Sequence, residues 1–175
     1  PIYMDRRAIK SREAIVQAFL YLLPRKGFDK LTVREIADQA QLNRVTFYQH
    51  YKDKYDLLEQ CAKHYVDEML KGNMNVDLKS LIHRSFLYVQ KHQEELLKLS
   101  QREVVYALLD AFKKQLRDHY LPLITGNHLE DIMMNEIHAG MATGMLQWWI
   151  HHAQDYSVEE AVNSYMILRS RLFIS

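Results

Sequence analysis

The segment from Leu31 to Leu58, LTVREIADQAQLNRVTFYQHYKDKYDLL, constrains the fold of this 175-residue chain more than any other. Its pattern predicts a short helix, a tight turn, a second short helix and the start of a third. Thr32 and Glu35 have the spacing of a capping box, in which each side chain binds the other residue's backbone amide, so a helix should begin there. Two short helices joined by a turn can present one helix to the major groove of DNA.

The two predicted helices have clear inward positions. In the first helix the apolar residues recur at i, i+3, i+4 and i+7, as Val33, Ile36, Ala37 and Ala40. Asn43 is a good N-cap for the second helix, which should run to about Tyr51 with Phe47 as its inward anchor.

The second helix leaves an unusual set of side chains outward. Exposed helix faces are mostly rich in Lys and Glu, whereas this one carries a guanidinium, a branched methyl, hydroxyls, an amide and an imidazole. Such groups suit the base edges and phosphates of DNA. The outward residues are Arg44, Val45, Thr46, Tyr48, Gln49 and His50.

The segment resembles the TetR family of bacterial transcriptional regulators. The resemblance covers about residues 8 to 60, and it rests on the Thr, Arg, Glu, Ile and Ala of the first helix followed by Tyr48, Tyr51, Lys54, Leu57 and Leu58. It implies an all-α homodimer that binds double-stranded DNA at a pseudopalindromic operator and acts as a regulator, more often a repressor. Residues 1–53 would form a three-helix DNA-binding domain, and residues 54–175 a helical regulatory and dimerisation domain.

The resemblance also implies which residues meet DNA. Bases would be faced by Arg44, Val45, Gln49 and His50, with Arg34 reaching from the preceding helix. Phosphates would be held by Thr32, Thr46, Tyr48 and Lys54. One departure concerns Gln41, where many members carry Gly: it requires a left-handed conformation, at a cost of about 1 kcal/mol, or a different turn.

Charge is unevenly distributed along the chain. Residues 1–54 hold 11 Lys or Arg against 6 Asp or Glu, whereas residues 55–175 hold 12 against 16, which together give the net charge of +1. A basic first third fits a DNA-binding head, although a solvated basic face would give the same count. The basic residues that crowd the start of the first helix could contact phosphates or form a solvated terminus; they are Arg6, Arg7, Lys10 and Arg12.

Helical patterns continue to the end of the chain. Gly27 should close the first helix with a left-handed C-cap, and Asp53 should cap a fourth helix that links the two domains and ends at Gly72. A tilt of this fourth helix could change the spacing of paired DNA-binding heads. The predicted helices span about residues 4 or 6 to 26, 32 to 40, 43 to 51, 54 to 71, 78 to 89, 94 to 99, 102 to 120, 128 to 152 and 157 to 171, with a loop at 73–77 and Pro122 after the seventh.

Two glycines one turn apart favour a close helix contact near the C-terminus. Gly140 and Gly144 each cost roughly 1 kcal/mol relative to Ala in a helix, so a packing reason is expected. We expect a dimer interface that includes Trp148, while close packing within one subunit is the alternative. The paired Trp and following SVEEA are similar to a TetR subgroup that includes regulators of dihydroxyacetone kinase genes.

A small-molecule site in the C-terminal half is a further expectation. A mainly apolar set with a few polar tips is typical of ligand pockets, but it is equally typical of a packed core. The candidates for a small apolar or amphipathic effector are His83, Phe86, Tyr106, Phe112, Met133, Ile137, His138 and Met141. An enclosed cavity would favour this hypothesis, and a filled core with an exposed apolar patch would favour control by a protein partner.

Motifs typical of other functional classes are absent from the sequence. The sequence has no HExxH or His with a Cys pair, no glycine-rich phosphate loop and no nucleophile elbow, so we predict neither an enzyme nor a metal or cofactor site. No apolar run approaches the roughly 18 residues of a membrane helix, and no secretory signal is evident. The single cysteine, Cys61, is expected to be a buried structural thiol in a cytoplasmic protein.

Overall fold

The computed structural model describes residues 6–71, 77–120 and 128–173, and all regular elements in these ranges are helical. The predicted all-α class is therefore confirmed. A π-helical turn, Leu116–Tyr120, follows the seventh helix. The helices are α1 Arg6–Lys26, α2 Val33–Gln39, α3 Arg44–His50, α4 Lys54–Met69, α5 Leu78–Lys91, α6 Gln93–Lys98, α7 Arg102–Gln115, α8 Leu129–His152 and α9 Val158–Phe173.

The chain divides into two compact units. The first contains the residues up to Ala62 together with Leu99–Ala107, and the second contains Lys63–Lys98 and the residues from Leu108 onward. The boundary predicted from sequence falls after residue 53, whereas the first unit also takes in the first half of α4 and the first turns of α7. Both α4 and α7 thus begin in the first unit and continue into the second.

The first unit is built around α1, which packs against α2 and α3. Each of these helices contributes fully buried side chains, because its apolar residues recur at helical spacing. The side chains with no exposed surface include Ile15, Phe19, Phe28, Ile36, Phe47 and Leu57. This core fixes the two short helices, α2 and α3, against α1.

Two turns of the first unit use left-handed backbone conformations. Gly27 has φ +81° and its amide donates to the carbonyl of Leu23, which is the predicted C-cap of α1. Gln41 has φ +56° between α2 and α3. The left-handed alternative proposed for Gln41 is therefore the one adopted, and a non-glycine residue there carries strain of about 1 kcal/mol.

The second unit has its core where α5 packs against α8 and α9. The ring of Phe86 stacks on the buried indole of Trp149, with centroids 5.0 Å apart, and the indole Nε1 donates to the Phe86 carbonyl at 2.8 Å. Ser157 and Glu160 form a second capping box at the start of α9. The burial of this apolar surface holds α5, α8 and α9 together.

Some details differ from the sequence interpretation or lie outside the described residues. On α7 the spacing of Val105 and Phe112 predicts that both face inward, whereas the buried valine is Val104 and Val105 is half-buried. The predicted helix end at Gly72, most of the 73–77 loop and Pro122 fall outside the described ranges. Among the helices that the structure describes, none has the length and apolarity needed to cross a membrane.

Candidate nucleic-acid interface

Helix α3 is fixed at both ends and along its inward face. The Asn43 side chain accepts a hydrogen bond from the Val45 amide at 2.9 Å, as predicted for an N-cap. Phe47 has no exposed surface, and Tyr51, the C-cap residue, is only 2% exposed. The buried Phe47 and Tyr51 fix the orientation of α3. Its opposite face therefore points outward.

The outward face of α3 carries the side chains predicted from sequence. Val45 is 63% exposed and Tyr48 is 57% exposed. Exposure of their apolar surface to water is energetically unfavourable. Arg44 and Gln49 are also exposed, while Thr46 and His50 are half-buried. The helix thus offers a guanidinium, an amide, a phenol and a methyl-bearing side chain on one accessible surface, which can reach base edges and phosphates together.

The preceding helix starts with a complete capping box. The Thr32 hydroxyl accepts from the Glu35 amide at 3.3 Å and donates to the Glu35 carboxylate, which also accepts from the Thr32 amide. Lys26 donates to the same carboxylate, and these hydrogen bonds lower the pKa of Glu35 to about 2. The hydroxyl proton of Thr32 is engaged inside the box, and its predicted phosphate contact stays a prediction.

Arg34 lies on the outer face of α2, with a side chain 77% exposed. Its Nε is 3.7 Å from the Asp38 carboxylate one turn along the helix. An exposed pair at this distance contributes little to stability, so Arg34 can exchange this partner for another acceptor.

Arg12 forms a connection that the sequence did not reveal. Its Nη2 donates to Gln60 Oε1 at 2.6 Å and its Nε to the Tyr51 hydroxyl at 3.2 Å. The Gln60 amide in turn donates to Asp56 at 2.9 Å. Burial raises the pKa of Tyr51, against the opposing effect of the Arg12 hydrogen bond, so the phenol stays protonated and available as a partner. Arg12 therefore ties α1 to the end of α3 and to α4.

Lys54 makes several contacts within the first unit. Its ammonium donates to the carbonyl oxygens of Phe28, Asp29 and Leu31, at 2.8, 3.1 and 3.0 Å, and it lies 4.7 Å from the centre of the Phe28 ring. An ammonium has three protons to donate, and all three have acceptors here. Lys54 thus fixes the loop between α1 and α2, while its predicted phosphate contact stays a prediction.

In the second unit, the glycine pair of α8 faces outward. A Cβ built on Gly140 or Gly144 meets no atom within 4 Å. The alternative of close packing within one subunit is therefore wrong for the described residues. Trp148, on the same face of the helix, is 39% exposed and stacks on the His152 ring.

The eight predicted pocket residues do not line one cavity. Phe86 and Phe112 fill the core with no exposed surface, whereas Tyr106, Met133 and Ile137 are more than half exposed. The remaining three are partly exposed and are His83, His138 and Met141. Tyr106 belongs to the first unit, and Phe86, Phe112, Met133 and Ile137 belong to the second. Helical periodicity identified apolar positions, but it did not distinguish filled core from open surface.

Two surface depressions are lined mostly by polar and charged residues. One of about 380 Å³ is lined by residues of α5, α6 and the α8–α9 connection, among them Gln90, Glu94 and Gln154. The other, of about 460 Å³, lies in the first unit beside Phe28 and Gln101. Neither includes any of the eight predicted pocket residues. In the part of the chain that the structure describes, no group of three or more His, Cys, Asp or Glu is arranged to hold a metal ion.

Together the fold and the outward face of α3 define a helix-turn-helix DNA-binding domain. Comparison with known proteins agrees with this class. The family described as "Bacterial regulatory proteins, tetR family" matches residues 15–61, which include α2, α3 and the turn between them. Residues 15–61 of the chain therefore carry the TetR-type DNA-binding region. Members of this family are DNA-binding transcription regulators and not enzymes, in agreement with the sequence prediction.

Solved structures extend the fold similarity to most of the chain. A TetR transcriptional regulator from Streptococcus agalactiae has a TM-score of 0.71 and 23% identity, with 94% of this chain and 96% of the other covered. The dihydroxyacetone kinase operon activator DhaS has a TM-score of 0.54 and 16% identity over 91% and 94% of the two chains. At these identities the shared property is the fold.

Curated relatives match over shorter regions. The negative regulator of the biofilm operon icaADBC, IcaR of Staphylococcus epidermidis, is 21% identical over 68% of this chain and 66% of its own length. The alignments with two uncharacterised regulators of Bacillus subtilis cover only 18% and 32% of those proteins. The chain therefore spans less than two thirds of the length of the relatives it matches.

Proposed function

We propose that the chain is a homodimeric, sequence-specific DNA-binding transcriptional regulator that works in the cytoplasm. The observation that carries the proposal is the exposed face of α3, held outward by the fully buried Phe47 in the basic third of the chain. Exposed apolar and aromatic groups such as Val45 and Tyr48 have a physical reason to be there if a DNA surface covers them.

The side chains divide between base and phosphate contacts. Arg44 and Gln49 can each form paired hydrogen bonds with a purine edge, and Val45 can contact a thymine methyl. His50 adds a ring nitrogen on the same face. Tyr48 and Thr46 can donate hydroxyl protons to phosphate oxygens, and Arg34 can reach DNA from α2.

The start of α1 supplies further phosphate contacts in this proposal. Arg6, Arg7 and Lys10 are exposed, and cations at a helix N-terminus oppose the helix dipole, so helix stability alone does not account for them. Arg12 is assigned instead to the Tyr51 and Gln60 contacts described above.

The proposed dimer interface is a stripe on α8. Met133, Ile137, Gly140, Gly144 and Trp148 follow one another at intervals of three or four residues and are all exposed. The open space above the two glycines allows a second helix to approach closely. A second copy is the proposed occupant, because a dimer would place two copies of α3 against successive major grooves of a pseudopalindrome.

We propose that the regulator acts as a repressor, as the name of IcaR states for that protein. Control by an effector bound in the second unit is part of the same proposal. Its support is the guanidinium of Arg84, whose Nε and Nη2 are buried without a hydrogen-bond partner among the described residues. Buried unpaired charge is costly, so an amphipathic effector with an acidic head would relieve this cost. The alternative to an effector is control by a protein partner that binds the C-terminal helices. The filled core and the exposed stripe support this alternative.

The proposal is tested by selecting bound duplexes from a random-sequence DNA library with the whole chain. We expect enrichment of a motif with two related half-sites. Enrichment of no motif, with equal binding to all duplexes, would contradict sequence-specific recognition. A reporter gene placed behind the selected motif then distinguishes repression from activation.

A further inference from the structure

The loop between α1 and α2 is held by an amide from a distant part of the sequence. The side chain of Gln101 accepts a hydrogen bond from the Phe28 amide through Oε1, and its Nε2 donates to the Leu23 carbonyl at 2.9 Å. Gln101 lies in the first unit with these partners and is itself half-buried.

The two hydrogen bonds complete the end of α1. The last carbonyls of a helix have no partner within the helix, and the chain that leaves it needs acceptors for its amides. A primary amide is suited to this position because it carries one acceptor and one donor group on the same carbon. A glutamate at 101 could serve only the Phe28 amide, and a leucine could serve neither partner.

The same residue also begins α7. The Gln101 carbonyl accepts from the Val105 amide at 2.9 Å, which is the first helical hydrogen bond of α7. Gln101 therefore joins the start of α7 through its backbone to the end of α1 through its side chain. From Leu108 onward, α7 belongs to the second unit.

Lys54 holds the same loop from the start of α4. Its ammonium donates to the carbonyls of Phe28, Asp29 and Leu31, immediately before Thr32 caps α2. The loop that leads into the helix-turn-helix is thus fixed by residues at the starts of α4 and α7, the two helices that continue from the first unit into the second.

We infer that Gln101 is a positioning residue that transmits the position of α7 to the DNA-binding helices, an inference that rests on the proposed function. When the first turn of α7 shifts, the amide of Gln101 leaves Leu23 and Phe28, or it moves the loop with it. In the first case the loop keeps only the hydrogen bonds from Lys54 and becomes less firmly held. In the second case the start of α2 shifts with the loop, and α3 follows because α2 and α3 pack together. By linkage, DNA bound at α3 must in turn stabilise the first turn of α7.

The test uses the whole chain with Gln101→Leu, Gln101→Glu and, as a matched control, Gln115→Leu. Gln115 also lies on α7, and its amide donates to Asp67 at 2.7 Å, away from the loop. The probes are a duplex selected with the wild-type chain and a scrambled duplex of the same composition. Hydrogen exchange of the amides from Val105 to Leu108 is measured with and without the selected duplex.

We expect Gln101→Leu to reduce the preference for the selected over the scrambled duplex by about tenfold, with Gln101→Glu intermediate and Gln115→Leu unchanged. In the wild type, the selected duplex should slow exchange in the first turn of α7, and Gln101→Leu should abolish this effect. A role confined to stability would lower the melting temperature but leave the preference and the DNA-dependent exchange intact, and that result would overturn the inference.

The outcomes separate this inference from the proposed function. A wild-type chain without preference for any duplex would overturn the proposed function itself. A clear wild-type preference with unchanged Gln101 variants would overturn only the role of Gln101. If Gln101→Leu does not fold, Gln101→Glu and the wild-type exchange measurement decide the question.

Discussion

The ammonium of Lys54 is held by three carbonyl oxygens, and this determines what its replacement should do. We expect Lys54→Met to lower the free energy of unfolding by about 1 to 3 kcal/mol, because charge-assisted hydrogen bonds to the loop are lost. Denaturant unfolding measures the change. The salt dependence of DNA binding should stay as in the wild type.

Lys30→Met is a suitable control for Lys54, because Lys30 is an exposed cation in the same loop. If Lys54 contacted a phosphate, its removal would reduce the slope of log Kd against log salt concentration by about 0.9. That reduction, without a loss of stability, would contradict the structural role.

Gln41 adopts a positive φ that favours glycine. Gln41→Gly should raise the free energy of unfolding by about 0.5 to 1 kcal/mol, because glycine removes the backbone strain at φ +56°. Gln41→Ala, measured by the same thermal unfolding, should give no such gain. Equal stabilisation by both substitutions would show that the backbone is not the source of the effect.

At the residue scale, local interactions could be predicted from sequence and distant ones could not. Thr32, Asn43 and Asp53 act within three residues of their own position, so spacing was sufficient. Gln101 meets Leu23 and Phe28 across more than seventy residues, and only the packed structure brings them together. Lys54 was assigned to a phosphate through the family resemblance, and the sequence did not show the three carbonyls that bind its ammonium.

At the element scale, α2 depends on its capping box, which makes the start of the helix sensitive to acid. The hydrogen bond from Lys26, followed by those from Thr32, lowers the pKa of Glu35 to about 2 from an ordinary value of 4.5. A carboxylate with a lowered pKa stabilises the folded state fully above its unfolded pKa, and this contribution is lost as pH falls through the folded pKa. The affected window is therefore pH 4.5 to 2.

We expect Glu35→Gln to melt below the wild type at neutral pH and to approach it at pH 2. Melting temperatures of the two proteins across this range provide the measurement. Glu13→Gln, on the exposed face of α1, is the control for general charge effects. A difference between wild type and Glu35→Gln that stays constant down to pH 2 would contradict the role of the ionised carboxylate.

Helix positions could be predicted closely because apolar residues recur at helical spacing throughout the chain. The bounds of α1, α5, α6, α8 and α9 in the structure lie within a few residues of the predicted ones. On α7 the periodicity predicted an inward Val105, whereas packing buries the adjacent Val104. The function of an outward helix face depends on which molecule covers it. Helical periodicity gives no information about that molecule.

At the scale of the whole molecule, the glycine stripe of α8 is the proposed contact between two copies. Gly144→Leu should stabilise the helix by about 0.5 to 1 kcal/mol, because nothing within 4 Å opposes a side chain there and leucine is a better helix former. The same substitution should raise the dimer Kd by about tenfold or more, because it blocks close approach of the second helix.

Sedimentation equilibrium of Gly144→Leu measures association, and thermal unfolding at low concentration measures the stability of the subunit. Gly144→Ala should stabilise the helix similarly and weaken the dimer less, because its side chain is smaller. Unchanged association of Gly144→Leu would place the dimer contact elsewhere on the molecule.

The eight predicted pocket residues show what helical spacing could not predict. Phe86 and Met133 both have apolar side chains at helical positions, yet one fills the core and the other is exposed. Whether an apolar set encloses a cavity depends on how side-chain volumes fit together, which spacing alone does not determine.

The central claim, that the outward face of α3 reads DNA sequence, is tested most directly by Arg44→Ala. Its affinity is measured for a duplex selected by the wild type and for a scrambled duplex, with Tyr48→Phe as the comparison for a phosphate contact. We expect Arg44→Ala to cost about 1 to 3 kcal/mol on the selected duplex and little on the scrambled one, whereas Tyr48→Phe weakens both similarly. Equal losses on both duplexes for Arg44→Ala, or no loss on either, would contradict the claim.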